Sequence, residues 1–356
     1  MSNDIVASCK FALKKPLYRP TYAVRRWLAR NDASRQINKI DSTPIPDKRQ
    51  EIRLFMVVRN ESLRLPFMLD YYFSRGVDRI FVLDNDSSDD TRDIILSKKD
   101  AHLFYTKDKY AHQSSWVDVL LRRFGIGHWC LIVDADEMLV YPHYERTTLR
   151  DLCVFLDKES FDAMDCVLLD MYPDSSLNAI EYTKGMNPLL VAPFFDGKSY
   201  TTVRVPVYMS KINVIYEGPE RMYGGMRKRM FGIDACLSKF PLVKYNKSMF
   251  LSAGTHFVHG ARAADLRGAL LHFKYLDDFS ARVKEEVKRE AHWDNAFEYK
   301  GYLKTLNRSY DIRFCSNDSE KFRASVQLVD LGIMKSSERL DYSAYNESKR
   351  KDDSEN

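Results

Sequence analysis

Apolar runs and helix-period segments alternate between Glu51 and Glu137. IRLFMVV (52–58) is apolar but for Arg53 and predicts a strand buried on both faces of a sheet. RNE follows. Leu63, Leu65, Phe67, Met68, Tyr71 and Tyr72 then predict a helix closed by Gly76 at its C-cap. RIFVLD (79–84) predicts a second buried strand, DTRDIILSK a helix, and HLFYT (102–106) a short third strand. Residues 112–124 predict a helix ended by Gly125 and Gly127. WCLIVDADE (129–137) predicts a fourth strand running straight into a carboxylate cluster. This alternation predicts an α/β fold with a doubly wound, mostly parallel sheet flanked by helices. Residues 150–275 mix short strands and loops. From Asp277 to about Leu306 the chain is helical and charged, which gives a helical C-terminal region, and from Asn346 it reads as a polar, frayed tail.

Charge divides the chain further. Its 356 residues carry a formal net charge of +5. The first 50 hold eleven basic and four acidic side chains, an excess of +7, so the rest carries −2. A body without a basic excess disfavours nucleic-acid binding, which needs a basic face on the folded domain. Residues 1–50 read as a basic arm, with Tyr22, Trp27 and Leu28 among Arg25, Arg26 and Arg30 in a short amphipathic helix and Ser42–Arg49 as a two-proline linker. Residues 51–310 read as the folded domain, and 311–356 as a C-terminal extension with the frayed tail. The arm is expected either to dock on an anionic cytoplasmic leaflet or to be a disordered or core-packed extension. Six scattered cysteines with no C-x-x-C pair, no signal-peptide stretch and no apolar run long enough to span a bilayer point to a cytoplasmic protein, peripheral at the inner face of the membrane if the arm docks there.

Ligands of doubly wound sheets bind at the carboxyl ends of the strands. Arg59–Glu61, Asp84–Asp90 and Asp134–Glu137 fall at such ends and are expected to converge on one crevice. On an extended segment Asp134 and Asp136, at i and i+2, project to one side and can share a hard divalent ion, Mn²⁺ or Mg²⁺, with a diphosphate. A solvated acidic turn would also account for a lone D-x-D. The loop from Asp84 to Thr91 reads plainly as a turn with Ser88 or Asp89 as an N-cap, but that does not account for four aspartates in seven residues, and acids at a strand end can accept from a ribose or a base edge. No G-x-G-x-x-G follows the first strand, so a nicotinamide or flavin dinucleotide site is disfavoured.

VVRNE, then VLDNDSSDDT, then a buried strand ending in DADE, resembles the nucleotide-sugar half of a family-2-type glycosyltransferase of the GT-A fold. DMYPDS (170–175), GGMRKRMFG (224–232), KFPLVKY (239–245), SAGTH (252–256) and ALLHFKYLDDF (269–279) resemble the bacterial branch in which D-x-D-E precedes G-G-x-R-x-R and L-H-F-K. The resemblance covers about residues 52–310. It implies transfer of a sugar from a nucleoside diphosphate, a UDP-sugar first among donors, to the hydroxyl of a saccharide or lipid-linked acceptor, with a divalent cation and in surface polysaccharide or lipopolysaccharide synthesis. Asp84 and Asp86 would hold base and ribose, with Arg59 and Glu61 lining the same pocket. Asp134 would contact ribose and metal, and Asp136 is the surer metal ligand. His272 would complete the metal shell, with His256 and His259 as second-rank ligands. Lys274, at i+2 from His272 on a predicted strand, would meet a phosphate. Arg227 and Arg229 suit a diphosphate or an acidic sugar.

An inverting reaction needs a base, for which Asp170, Asp174, Glu217 and Glu220 are candidates and Asp174 and Glu220 the preferred pair. Bland roles stay open: polar residues on a solvated strand, hydrogen-bonded buried histidines, or a charged surface face. Two other functions compete. One is a non-catalytic sugar-nucleotide or glycan-binding protein on the same fold. The other is a nucleotidyltransferase or metal phosphohydrolase, for which VVRNESLRLP supplies no Gly- and Lys-rich triphosphate loop.

Overall fold

The computed structural model of the chain describes residues 19–204, 220–252, 254–289, 293–309 and 311–344. Residues 1–18, Glu217, the side chain of Tyr22 and the tail from Asn346 lie outside the described residues.

The chain enters helix α1 (Arg19–Gln36), which is followed by the two-residue strand β1 (Asn38–Lys39). The alternating segment comes next: β2 (Ile52–Val58), α2 (Leu65–Ser74), β3 (Arg79–Asp84), α3 (Thr91–Leu96), β4 (Ala101–Tyr105), α4 (Gln113–Phe124) and β5 (Trp129–Ile132). After β6 (Glu137–Val140) come α5 (Leu149–Lys158), β7 (Ala163–Asp170), β8 (Phe194–Asp196), β9 (Tyr200–Arg204), β10 (Glu220–Gly224) and α6 (Gly225–Phe231). The chain continues through β11 (Ser238–Lys244), β12 (Phe250–Ser252), β13 (Phe257–His259), β14 (Ala263–His272), α7 (Phe279–Arg289), α8 (Trp293–Leu306), β15 (Ser319–Lys321) and α9 (Ser325–Asp330).

Among the described residues, one nine-stranded sheet has the order β1-β4-β3-β2-β5-β11-β7-β14-β6. β2, β3, β4, β5, β7 and β14 run one way, and β1, β6 and β11 run against them. Helices cover both faces, and β2 shows why. Ile52, Leu54, Met56 and Val58 join one core with α2 and α5, while Phe55 and Val57 join a second core with α4. A strand whose alternate residues are all buried reads as a continuous apolar run, and β2 and β3 match their predicted limits. Gly76 adopts φ 92° just past α2, the left-handed conformation that a helix C-terminus requires. The described cysteines, Cys130, Cys153, Cys166, Cys236 and Cys315, are free thiols.

Two features differ from the sequence expectation. The predicted strand 129–137 stops at Ile132. Asp134 to Asp136 form a turn closed by Glu137 N donating to Asp134 O (3.2 Å), and Glu137 opens β6 at the far edge of the sheet. The second is α5, which has a capping box: Thr148 Oγ1 accepts from Asp151 N, and the Asp151 carboxylate accepts from Thr148 N. α1 lies against α4, where Ala33 and Ile37 enter the second core. No helix among the described residues is long and apolar enough to cross a membrane.

Candidate functional site

β14 positions the centre of the site. Its last residue, His272, lies in the ladder between Asp170, which ends the parallel strand β7, and Glu137, which opens β6. Phe273 N then donates to Asp136 O (2.8 Å), tying the D-x-D turn to the end of β14. His272 Nδ1 lies 2.8 Å from Asp170 Oδ1 and 3.3 Å from Arg227 Nη2. The shorter contact, to a carboxylate, makes Nδ1 the donor. The other ring nitrogen, Nε2, faces Asp136 Oδ2, 3.5 Å away. Arg227 grips Asp170 with two donors, Nε to Oδ2 (3.2 Å) and Nη2 to Oδ1 (2.8 Å), and reaches Glu298 Oε1 on α8 (2.8 Å).

The charge balance keeps these acids ionised although they are buried. Burial alone would raise the pKa of Asp136, but His272, Arg282, Arg64 and Lys274 outweigh it and hold that pKa at about 2. Glu298 is likewise held at about 2, burial being overcome by Arg227 and Lys274. Asp170 is lowered further, with Arg227 and His272 overcoming burial. A carboxylate held this far down is a poor proton acceptor near neutral pH, so Asp170 and Glu298 are positioning groups and not bases.

The two D-x-D carboxylates occupy different environments, contrary to the extended-segment expectation, because they sit in a turn. Asp136 is buried. Asp134 keeps 40% of its side chain exposed, with Lys239 Nζ at 3.5 Å. Lys239 is itself fully buried and donates to both oxygens of Glu137 (2.9 and 2.7 Å), and Glu137 Oε2 also accepts from Asp134 N (2.9 Å). Glu137 and Lys239 therefore brace the turn.

Lys274 lies just past β14, yet it reaches the same cluster. Its ammonium is 3.9 Å from Glu298 and faces the rings of Tyr299 and Tyr302 at 4.9 and 5.2 Å. Burial lowers its pKa, but Tyr299 and Glu298 more than compensate and the ammonium stays charged. None of these contacts is a hydrogen bond, so an incoming anion can take its donors.

Just past β2, the Arg59 guanidinium donates through Nη1 to the carbonyls of Asn85 and Asp86 (2.7 and 2.8 Å), which holds the acidic loop. Its Nε is buried without a hydrogen bond, 3.8 Å from Glu285 on α7. Asp84 is fully buried and accepts from Ser87 N and from Arg92 Nε (2.6 Å), so it shapes the loop from inside. Asp86, at φ 60°, is half exposed and accepts from Tyr105 Oη (2.7 Å), which leaves it the acid of this loop best placed to meet a ligand. Glu61 is engaged by both outer nitrogens of Arg282 (3.0 and 2.5 Å).

The remaining candidates lie apart. Arg229 follows Arg227 by two positions on α6, which turns it to the opposite side, where it pairs with Asp196 (3.0 and 2.7 Å) and Phe314 O (2.6 Å). Glu220 contacts Arg267 and Arg204 (3.4 and 3.6 Å). Arg267 is five residues before His272 on β14, roughly 16 Å along the strand. Asp174 is exposed, four residues beyond the end of β7. His256 Nδ1 faces Ser238 O (3.2 Å). His259 stacks on Phe250 and contacts Ser252. Among the described residues, neither Asp174 nor Glu220 hydrogen-bonds or pairs with the Asp136–His272 cluster.

Burial and the Lys239 charge hold His256 at about pH 4, below its ordinary value. A histidine with a lowered folded pKa favours the fold while neutral. Its contribution is present above about pH 6.5 and is lost as the pH falls through about 4. The stability gap between the parent and His256→Gln, measured by urea denaturation at pH 7, 5 and 4, is expected to shrink along that series.

No three His, Cys, Asp or Glu side chains among the described residues form a ready-made metal cage. Asp136 and His272 nevertheless fit a shared cation. Their 3.5 Å separation is close to the ~3 Å expected for neighbouring ligands on one octahedral ion. The ionised carboxylate, and Asp170 behind the imidazole, supply the usual ligand chemistry and outer support. A Mg²⁺-type site commonly takes one or two protein ligands and fills the rest from substrate phosphates and water.

Lys239, Arg64, Arg282 and Glu298 also belong to this site and were not singled out from the sequence. Lys239 alone carried a signal, a lysine at the start of the apolar run KFPLV. The others are single charges with no spacing that marks them; Arg282 and Glu298 lie on charge-rich helices.

Fold and site together define a mixed α/β chain with a buried charged cluster at the carboxyl ends of β7 and β14. No protein-family model matches it. Over 100 residues it is 28% identical to a glycosyltransferase family 92 protein of Ricinus communis, a match spanning 27% of this chain and 18% of that protein. That relative is a glycosyltransferase by name, of family 92 where the motifs resemble family 2. Among solved structures, 4-diphosphocytidyl-2C-methyl-D-erythritol synthase overlaps 41% of the chain at TM-score 0.24 and 16% identity, covering 68% of that protein. HddC from Yersinia pseudotuberculosis overlaps 64% at TM-score 0.25 and 9% identity, covering 79% of that protein. Neither overlap bears on function.

Proposed function

We propose that this chain is a metal-dependent glycosyltransferase that moves a sugar from a nucleoside-diphosphate donor to an acceptor hydroxyl. The observation that carries this reading is the ionised, buried Asp136 facing the Nε2 of His272 beside an ammonium, Lys274, whose donors are uncommitted. The local identity to a named glycosyltransferase supports it.

A divalent cation, Mn²⁺ or Mg²⁺, bound by Asp136 and His272 would offset the negative charge that builds on the leaving diphosphate. Asp170 holds the imidazole in the ligating tautomer, and Arg227 and Glu298 hold Asp170. Lys274 donates to a phosphate oxygen, a preorganised charge that needs no rearrangement as the bond breaks. Asp86 would accept from the ribose or base, Arg59 keeps its loop in place, and Asp134, partly exposed in the D-x-D turn, would contact ribose and metal. The donor is a nucleoside-diphosphate sugar, a UDP-sugar first. The acceptor is a saccharide or lipid-linked hydroxyl, in the surface-polysaccharide setting that the motif resemblance implies.

Thermal unfolding with UDP or GDP, with and without Mn²⁺, tests this reading. At a hundredfold excess over Kd, the matching nucleotide should raise Tm by about 3–4 °C with Mn²⁺ present and by little without it. The same shift without Mn²⁺, or in Asp136→Asn, would contradict the metal-linked site.

A further inference from the structure

We infer that the outward face of α1 docks this protein on an anionic lipid bilayer. α1 has two faces with different tasks. Arg26 and Arg30 reach Asp118 on α4 (3.8 and 3.5 Å), Arg26 lies 3.7 Å over the ring of Phe250, and Ala33 and Ile37 are buried in the second core. That face fixes the helix to the body. On the other side Trp27 and Leu28 are adjacent and 52% and 54% exposed, and Ile40, just beyond β1, is 48% exposed. Arg35 is exposed alongside them, with Asp32 as the exposed acid of that stretch.

Isolated exposed apolar residues are ordinary on protein surfaces. A tryptophan–leucine pair on a clamped helix, within a segment carrying the whole positive excess of the chain, is a different arrangement. The first 50 residues hold an excess of +7 and the remainder −2. Charge decides the occupant. Two copies of such an arm would repel each other, whereas an anionic leaflet attracts it and accepts an indole at its interface. Lys10, Lys14 and Lys15 precede α1 in sequence with Asp4 as the acid among residues 1–18, which extends the basic character. The inference does not depend on the transferase reading, because it needs neither donor nor metal.

The test is co-sedimentation of the full chain with phosphatidylcholine vesicles, with and without phosphatidylglycerol. The parent should bind the anionic vesicles, release in high salt and ignore the neutral ones. Trp27→Ser/Leu28→Ser should lower anionic binding at least about tenfold. Both positions are exposed, so its unfolding temperature should match the parent's. The proposal is overturned if parent and variant sediment equally, if neutral vesicles bind as well as anionic ones, or if no vesicle is bound. A dimer in velocity sedimentation that the variant abolishes, without vesicle binding, would assign the face to a second copy and overturn it too.

Discussion

Asp136→Asn is expected to lower metal-dependent donor turnover by roughly 10³-fold while leaving the fold in place. Asparagine keeps the volume of the side chain and removes one charge. The loss falls on the group with the fewest protein partners in the cluster: the Asp136 carboxylate lies 3.5 Å from His272 Nε2, whereas Asp170 is gripped by Arg227 and His272. Asp170→Asn should act one step removed. An amide in its place no longer selects the Nδ1–H tautomer, so Mn²⁺ affinity should fall about 10- to 100-fold. Mn²⁺ titration by calorimetry separates the two roles, since a merely structural Asp170 would change the unfolding temperature without moving Mn²⁺ affinity.

Lys239→Met is expected to destabilise the protein by about 3–5 kcal/mol, the usual cost of breaking a buried ion pair from one side. Lys239 is fully buried and holds both oxygens of Glu137, whose burial already raises its pKa. Removing the ammonium leaves that carboxylate without its counter-charge under the D-x-D turn. Adding Glu137→Gln removes the stranded charge and should recover most of the loss, because two neutral buried groups cost less than one unpaired ion. Urea denaturation of both single variants and the double variant measures the coupling. Equal destabilisation in Lys239→Met and the double variant would show that Glu137 is not what Lys239 serves.

The sequence was most legible where burial is continuous. β2 and β3 were bounded correctly because both faces of each strand enter a core. β5 ends before its apolar pattern does: WCLIV passes without a break into DADE, and the turn depends on hydrogen bonds from Glu137 and a brace from Lys239, about a hundred residues away in sequence. The capping box of α5 was present as Thr148 and Asp151 but lay in a region read as loops and strands. For the site, the D-x-D turn, His272 and Lys274 carried local signals. The groups that set their charge, Arg227 and Lys239 aside, come from α7, α8 and the N-cap of α2, where single charges look like solvated positions. Pairings across 200 or more residues, such as Arg282 with Glu61, have no local sequence signature.

Transfer chemistry on a nucleoside-diphosphate sugar at Asp136 and His272 is tested by product analysis after incubating the parent and Asp136→Asn with UDP- and GDP-sugars and Mn²⁺. The predicted result is release of nucleoside diphosphate from one donor class by the parent, lost in the variant. Release of nucleoside monophosphate, or equal turnover by both proteins, would contradict it.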